Sequence, residues 1–117
     1  MFKVIALIKA KPDISREQFV AHYEQRHVPL VLRLMPQVAD YRRNYVEIEG
    51  AYLASGVPAL DFDAVTELRY RCRADYEAAV ALLQDPEIRR VIVEDEEHFL
   101  DRERTRLFVV EEVVSKI

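Results

Sequence analysis

The order in which strand-like and helix-like segments follow one another constrains the fold of this chain more than any other feature. Four segments are rich in β-branched and aromatic residues, and two longer ones repeat apolar residues every three or four positions. The strand-like segments are 2–10, 38–48, 62–72 and 106–117, and the helical segments are 15–34 and 75–99. This order predicts an α+β, ferredoxin-like βαββαβ protomer, in which an antiparallel four-stranded sheet carries its helices on one face. With 117 residues, we expect one domain over 1–117.

Both helical segments carry start signals and an internal break. Ser15 and Gln18 form a capping-box pattern at the start of the first segment. Pro29 lacks the amide hydrogen that would bond to residue 25, so we expect a kink there. In the second segment, Asp75 is expected to cap a short piece, and Asp85, followed by Pro86, starts another piece that ends near Phe99.

The face of the sheet that the helices leave open is expected to be covered by a second copy of the chain. The first and last strands are dense in apolar residues, which predicts a strongly apolar open face. Such a face exceeds the few hundred Å² of contiguous apolar surface that soluble monomers usually expose. We therefore expect a homodimer joined through its sheet faces by two-fold symmetry.

Charge and composition exclude several classes of partner. The chain has 17 basic and 21 acidic residues, a net charge of −4, and its basic residues alternate with acids along the chain. Nucleic-acid binding needs a basic stripe, so no nucleic-acid partner is expected. The apolar run from Val4 to Ile8 is far shorter than a membrane span, so no membrane partner is expected. With a single cysteine and no signal-peptide pattern, the simplest expectation is a cytoplasmic protein.

Two ionisable residues interrupt the apolar faces of the helices. His27 lies on the first helix between Tyr23 and Val31, each four residues away, and Asp95 interrupts the last helical stripe. Both helices pack on the same side of the sheet, so we expect the two side chains to face the layer between helices and sheet, where they can meet. An imidazole and a carboxylate in an apolar pocket form a general acid–base pair. The alternative is a buried, satisfied histidine that holds the kinked helix.

Other kinds of site find little support in the sequence. His22 lies about 140° around an undistorted α-helix from His27, so the two cannot share a metal there. His98, at a helix end, is expected on the surface, and Cys72 is expected in the core of a strand. Gly50 and Gly56 are the only glycines, too few for a phosphate-binding loop. We therefore expect neither a metal nor a nucleotide cofactor.

The helix and the C-terminal region together resemble a known family. The matching residues are Phe19, Tyr23, His27, Pro29 and Leu30, then Tyr41 and Asn44, then Asp85-Pro86, Asp95, Glu96, Phe99, Leu100, Asp101 and Arg102. This pattern resembles the EthD family of small dimeric α+β-barrel proteins over nearly the whole chain. The resemblance implies two sheets that form a barrel and a pocket between helices and sheet in each subunit. It also implies oxidoreductase, decarboxylase, dehydratase or isomerase chemistry on small, mostly apolar rings. Haem-degrading relatives rely on a tryptophan, which this chain lacks, so no haem is expected.

These observations assign provisional roles within the expected pocket. His27 would be the general base or acid, and Asp95 would orient it. Tyr23 and Tyr41 would hold a carbonyl or hydroxyl of a small organic substrate, and Phe99 would pack on its ring. Asn44 offers a further hydrogen-bonding group, although strand alternation sends Tyr41 and Asn44 to opposite faces unless a bulge intervenes. The alternatives are a non-catalytic protein that binds a hydrophobic metabolite or assists a catabolic enzyme, and a structural dimer without a pocket.

Overall fold

Four antiparallel strands form a single sheet. In the computed structural model, which describes residues 1–117, the strands are β1 (Phe2–Ile8), β2 (Asp40–Tyr45), β3 (Ala64–Tyr70) and β4 (Arg106–Val110). Their order across the sheet is β2-β3-β1-β4, so the first strand pairs with both the third and the last. This topology confirms the ferredoxin-like α+β fold predicted from the order of segments.

The helical residues divide into five pieces. They are α1 (Arg16–His22), a π-helical turn (Tyr23–His27), α2 (Val28–Leu34), α3 (Arg73–Leu82) and α4 (Pro86–Glu97). Two short 3₁₀ turns follow β2 and α4, at Ile48–Gly50 and Arg102–Arg104.

Two of the three predicted caps are present. Ser15 and Gln18 exchange hydrogen bonds in a complete capping box, and the Asp85 carboxylate accepts from the amides of Glu87 and Ile88. The predicted cap at Asp75 is wrong. Helix α3 begins at Arg73, two residues before Asp75. Asp75 therefore lies in the first turn, where it pairs with the guanidinium of Arg71.

The strands are shorter than predicted because a strand ends where its partner does. Val110 on β4 pairs with Lys3, and only Phe2 of β1 lies beyond that pair, so residues after 111 have no strand residue to pair with. Residues 111–117, predicted to extend β4, are exposed and lack regular secondary structure. At the other end of β1, Ala10 leaves the ladder and forms an isolated bridge with Leu100.

A π-helical turn precedes Pro29, at the place where the sequence predicted a kink. The amide of Val28 donates to the carbonyl of Tyr23, five residues earlier, which widens this turn by one residue. A proline ring clashes with the carbonyl four residues before it in a regular α-helix, and it offers no hydrogen to that carbonyl. The wide turn immediately before Pro29 relieves this conflict, and the chain continues into α2 without a break.

Both helical layers pack on one face of the sheet. Phe19 and Tyr23 pack with Ala6, Ile8 and Phe99 in one core cluster, whose further buried members are Val28, Ala64 and Leu100. On α3, Ala79 packs in a second cluster with Val4, Leu68 and Tyr70. The sheet residues in both clusters alternate along β1 and β3, so they share one face.

The opposite face of the sheet is less apolar than predicted. Ile5, Leu7, Val65, Phe108 and Val110 lie on it by strand alternation, as the β-branched strands led us to expect. Its other half is charged. There the Lys3 ammonium lies 2.6 Å from a carboxylate oxygen of both Glu67 and Glu112, and Arg69 contacts Asp40 and Glu112. The prediction overestimated the apolar area because β2 and β3 contribute ionic side chains to this face.

No helix of the chain has both the length and the apolar character needed to cross a bilayer. Cys72, predicted in the core of a strand, is exposed instead, because β3 ends at Tyr70 and Cys72 occupies the N-cap position of α3.

Candidate active site

An apolar cavity of about 410 Å³ lies between the helices and the sheet. Twenty residues line it and 16 of them are hydrophobic, with aromatic rings from β2, β3, both helical layers and the segment after α4. The most polar lining side chains are His27, Thr66, Glu96 and Thr105. A cavity of this size and composition is typical of sites for small organic molecules.

His27 and Asp95 meet at the edge of this cavity, as their positions on two apolar helix faces predicted. The imidazole Nδ1 lies 2.6 Å from the Asp95 carboxylate, and the side chains are only 11% and 12% exposed. An ionised carboxylate only accepts hydrogen bonds, so Nδ1 is the nitrogen that carries the hydrogen. The other nitrogen, Nε2, makes no hydrogen bond within the chain and is the polar atom that this ring can offer to the cavity.

Asp95 binds a second histidine that the sequence analysis had placed elsewhere. The Nε2 of His22 lies 2.9 Å from the other carboxylate oxygen of Asp95. The prediction that His22 faces away from His27 is wrong, because it assumed an undistorted helix. In the π-helical turn, residues five apart lie one turn apart, so His22 and His27 reach the same carboxylate.

The electrostatics of Asp95 favour its ionised form. Burial on its own would raise the pKa of the carboxyl group, but the hydrogen bonds from His27 and His22 outweigh this effect and hold the pKa below its usual value. Asp95 is therefore a carboxylate near neutral pH, and its two oxygens accept hydrogen bonds from the two imidazoles.

Aromatic rings hold the histidines in place. The Phe99 ring, which is fully buried, stacks on His22 at 4.7 Å between centroids and contacts His27 at 5.0 Å. The edge of Tyr23 meets His27 at 5.3 Å. His98 is exposed, as predicted, and stacks on the outer side of His22 at 5.7 Å.

Tyr23 and Tyr41 line the cavity from opposite layers. The hydroxyl of Tyr23 pairs with that of Thr66 at 2.5 Å, so these two groups satisfy each other across the helix–sheet boundary. Burial raises the pKa of the Tyr23 phenol, and burial beside Tyr23 raises the pKa of the Tyr41 phenol well above its usual range. Both phenols are therefore hydrogen-bonding groups that stay neutral.

A charged cluster supports Tyr41 from outside the cavity. The Arg43 guanidinium lies 5.0 Å above the Tyr41 ring and binds the Glu24 carboxylate through two nitrogens. Tyr45 donates to the same carboxylate. The Arg43 guanidinium holds the pKa of the Glu24 carboxyl below its usual value, so this cluster stays ionised and fixes the edge of the cavity.

Comparison with known families identifies this architecture. The EthD domain, as a family sequence profile, matches residues 11–103, which include both histidines, Asp95 and most of the cavity lining. The chain belongs to the EthD family. The match covers most of the chain and confirms the family resemblance drawn from the sequence.

Solved structures share the fold of this EthD protein. An EthD-like protein from Ralstonia eutropha is 23% identical, with a TM-score of 0.65, and the alignment covers 98% of this chain and 95% of that one. An EthD family protein from Bacillus halodurans is also 23% identical, with a TM-score of 0.63 and coverage of 97% and 100%. No curated protein matches the sequence. These identities support the fold and leave the activity to be argued from the site.

Asn44 is the one proposed site residue of this EthD domain that lies away from the cavity. Strand β2 is regular, so Tyr41 and Asn44 face opposite sides of the sheet. The exposed Asn44 amide donates to the carbonyl of Val65 and to the Glu67 carboxylate, at 2.8 and 3.0 Å. The expectation that it shares a pocket with Tyr41 is wrong within one protomer, because no bulge intervenes.

Two residues of the site, Thr66 in the cavity and His22 behind Asp95, were missed from the sequence. Thr66 gave no signal, because a threonine in a strand is an ordinary β-branched residue. His22 did leave a signal, namely two histidines five residues apart just before a proline. That combination is compatible with a π-helical turn, but a search based on 3.6-residue periodicity does not test for one.

Proposed function

We propose that this EthD domain is an enzyme that transfers protons on a small, largely apolar organic molecule bearing a carbonyl or a phenolic hydroxyl. His27 is the general base and acid, and Asp95 orients it. One observation carries the proposal: the His27 imidazole binds Asp95 through Nδ1 at 2.6 Å and leaves Nε2 free beside an apolar cavity of about 410 Å³.

The proposed step uses groups that the chain already supplies. A C–H bond next to the carbonyl of the guest breaks, its proton binds His27 Nε2, and the electron pair moves onto the carbonyl oxygen. The hydroxyl of Tyr41, which lines the cavity, can donate a hydrogen bond to that oxygen. Asp95 stabilises the imidazolium, and His27 then returns a proton to the guest or to solvent. Proton transfer of this kind needs no metal or nucleotide.

The apolar lining supports this chemistry in two ways. It binds the ring of the guest, for which Phe99 and the tyrosines supply contact area. It also excludes water, and a charge pair such as imidazolium and carboxylate interacts more strongly where water is scarce.

A second candidate is a non-catalytic protein that binds a hydrophobic metabolite. The observation that favours it is the lining itself, in which 16 of 20 residues are hydrophobic. In this case, His27 and Asp95 only satisfy each other, and a guest binds equally well when His27 is replaced by glutamine.

We also propose that the protein acts as a homodimer joined through its open sheet faces. The support is the apolar half of that face, where Phe108 is 42% exposed, together with the exposed apolar residues that follow β4, Val113 and Val114. A solved structure from Bacteroides fragilis with a TM-score of 0.55 is described as a dimeric protein with a ferredoxin-like fold. A cytoplasmic location remains a prediction from the sequence.

The acid–base proposal is tested by exchange of solvent deuterium into β-tetralone, an aromatic ketone with acidic C–H bonds, followed by NMR. We expect the wild type to accelerate exchange and His27→Gln to lose about a hundredfold or more of that acceleration. The matched control is Glu97→Gln, which changes an exposed side chain outside the cavity and should exchange at the wild-type rate. Equal rates for His27→Gln and wild type, with both folded, would remove His27 from the chemistry. Tight β-tetralone binding by a wild type that does not accelerate exchange would favour the binding protein.

A further inference from the structure

His22 contacts Asp95 of the proposed acid–base pair but does not line the cavity. Its Nε2 lies 2.9 Å from one Asp95 oxygen, while His27 Nδ1 lies 2.6 Å from the other. The His22 side chain is 21% exposed and is not among the residues that line the cavity. Any influence of His22 on a bound guest must therefore pass through Asp95, to which it is hydrogen-bonded, or through Phe99, on which it stacks.

The two hydrogen bonds together determine how the Asp95 carboxylate is oriented. The terminal torsion of an aspartate is broad, so a carboxylate held at one oxygen can still rotate. Here each oxygen accepts from a different imidazole of the same helical segment, which fixes the plane of the carboxylate. Phe99 stacks on His22 at 4.7 Å and His98 at 5.7 Å, so the His22 ring is itself held between two rings.

The π-helical turn is what makes this arrangement available. On a regular α-helix, His22 would lie about 140° around the axis from His27, beyond the reach of a carboxylate bound to His27. The five residues Tyr23–His27 form the wide turn, and only there does a five-residue spacing place both rings on one face. Wide turns of this type occur frequently at functional sites.

We propose that His22 is a positioning residue for the acid–base site, which holds Asp95 so that its second oxygen faces His27 Nδ1. This inference rests on the proposed function, in which His27 transfers the proton. His22 does not touch the guest. It keeps the imidazole of His27 in the tautomer and orientation that present Nε2 to the cavity.

Two substitutions separate the hydrogen bond of His22 from its packing. His22→Phe keeps an aromatic ring between Phe99 and His98 but removes the donor to Asp95. His22→Gln loses the ring but places an amide N–H near the position of the imidazole Nε2. A role in packing alone predicts that the phenylalanine variant is the better of the two, whereas a positioning role predicts the reverse.

The first readout is the concentration dependence of deuterium exchange into β-tetralone. For His22→Phe we expect kcat to fall by about 10- to 100-fold, the usual loss when a group that orients a functional residue is removed, with KM within about twofold of wild type. His22→Gln should recover most of kcat. An unchanged kcat in His22→Phe, or a fall in His22→Gln that is as large as in His22→Phe, would overturn the proposal.

The second readout does not depend on catalysis. We expect the His27 Nδ1 hydrogen, which is bonded to Asp95 at 2.6 Å, to give a proton NMR resonance far downfield, which His27→Gln would identify by its loss. We expect His22→Phe to shift or broaden this resonance and His22→Gln to retain it. A resonance that His22→Phe leaves unchanged would show that His22 does not orient Asp95. If His27→Gln leaves exchange unaffected, the proposed function fails, but this resonance still decides whether His22 positions Asp95.

Discussion

At the scale of single residues, the three histidines differ in what their ring nitrogens contact. His27 donates a hydrogen bond from Nδ1 to Asp95 and keeps Nε2 free, and His22 donates from Nε2 to the same carboxylate. His98 donates from Nδ1 to the backbone carbonyl of Glu94 at 2.7 Å. His27 alone also lines the cavity. The chemistry of this site therefore depends on the nitrogen of His27 that Asp95 leaves free.

Asp95 also links stability to pH. Its hydrogen bonds keep the pKa of the folded carboxyl below that of the unfolded chain, about 3.9. A lowered folded pKa means that the stabilisation is complete above the unfolded value and is lost as the pH falls through the folded one. We expect Asp95→Asn to lower the free energy of unfolding by about 2 kcal/mol near neutral pH. This difference from wild type should narrow between about pH 5 and pH 3.

Urea denaturation across that pH range measures the effect. Glu97→Gln on the same helix is the matched control, because Glu97 is exposed and makes no side-chain hydrogen bond. The free energy of unfolding of Glu97→Gln should stay close to that of the wild type over the whole pH range. A deficit in Asp95→Asn that widens as the pH falls would contradict the assignment of Asp95 as a stabilised carboxylate.

At the scale of secondary-structure elements, the sequence predicts periodic features well and departures from periodicity poorly. The apolar faces of two helices place His27 opposite Asp95, and the structure confirms that they meet. The same periodicity misplaces His22. It assumes 3.6 residues per turn, but the helix is wider at Tyr23–His27. Strand ends are missed for a different reason. Strand propensity depends only on nearby residues, but β4 ends at Val110, which pairs with Lys3, and only Phe2 of β1 lies beyond that pair.

The capping box of α1 gives a direct test at this scale. Ser15 accepts from the Gln18 amide at 3.1 Å, and this bond satisfies an otherwise free donor of the first turn. We expect Ser15→Ala to lower the free energy of unfolding by about 1 kcal/mol in urea denaturation. Ser115→Ala, in the exposed segment after β4, serves as the control and should change it by no more than about 0.5 kcal/mol. If Ser15→Ala lowers the free energy of unfolding no more than the control does, the capping box does not stabilise the protein.

At the scale of the whole molecule, the helical face of the sheet is covered and the other face is not. The cavity, the histidines and the core clusters all lie on the covered side. The open side combines an apolar half with an ionic network around Lys3, a mixture that the sequence analysis did not anticipate. The strand register determines which charged side chains are neighbours across adjacent strands. Strand propensity alone therefore could not predict this network.

The proposed dimer makes a measurable prediction for this open face. In sedimentation equilibrium, we expect the wild type to have twice the chain mass of 13.7 kDa. Phe108→Glu places a carboxylate in the apolar half of the face and should yield the monomer. The control Leu32→Glu changes a residue of similar exposure, 46% against 42%, on helix α2 and should leave the mass unchanged. A wild type that sediments as a monomer at micromolar concentration would contradict the proposal.

A double-substitution cycle on His27 and Asp95 shows whether the two residues act as one catalytic unit. The measured quantity is the rate of deuterium exchange into β-tetralone for His27→Gln, for Asp95→Asn, for both together and for the wild type. If Asp95 acts only through His27, the double variant exchanges no more slowly than His27→Gln alone. Losses that multiply in the double variant, or a His27→Gln protein as active as the wild type, would show that the two residues do not act as one catalytic unit.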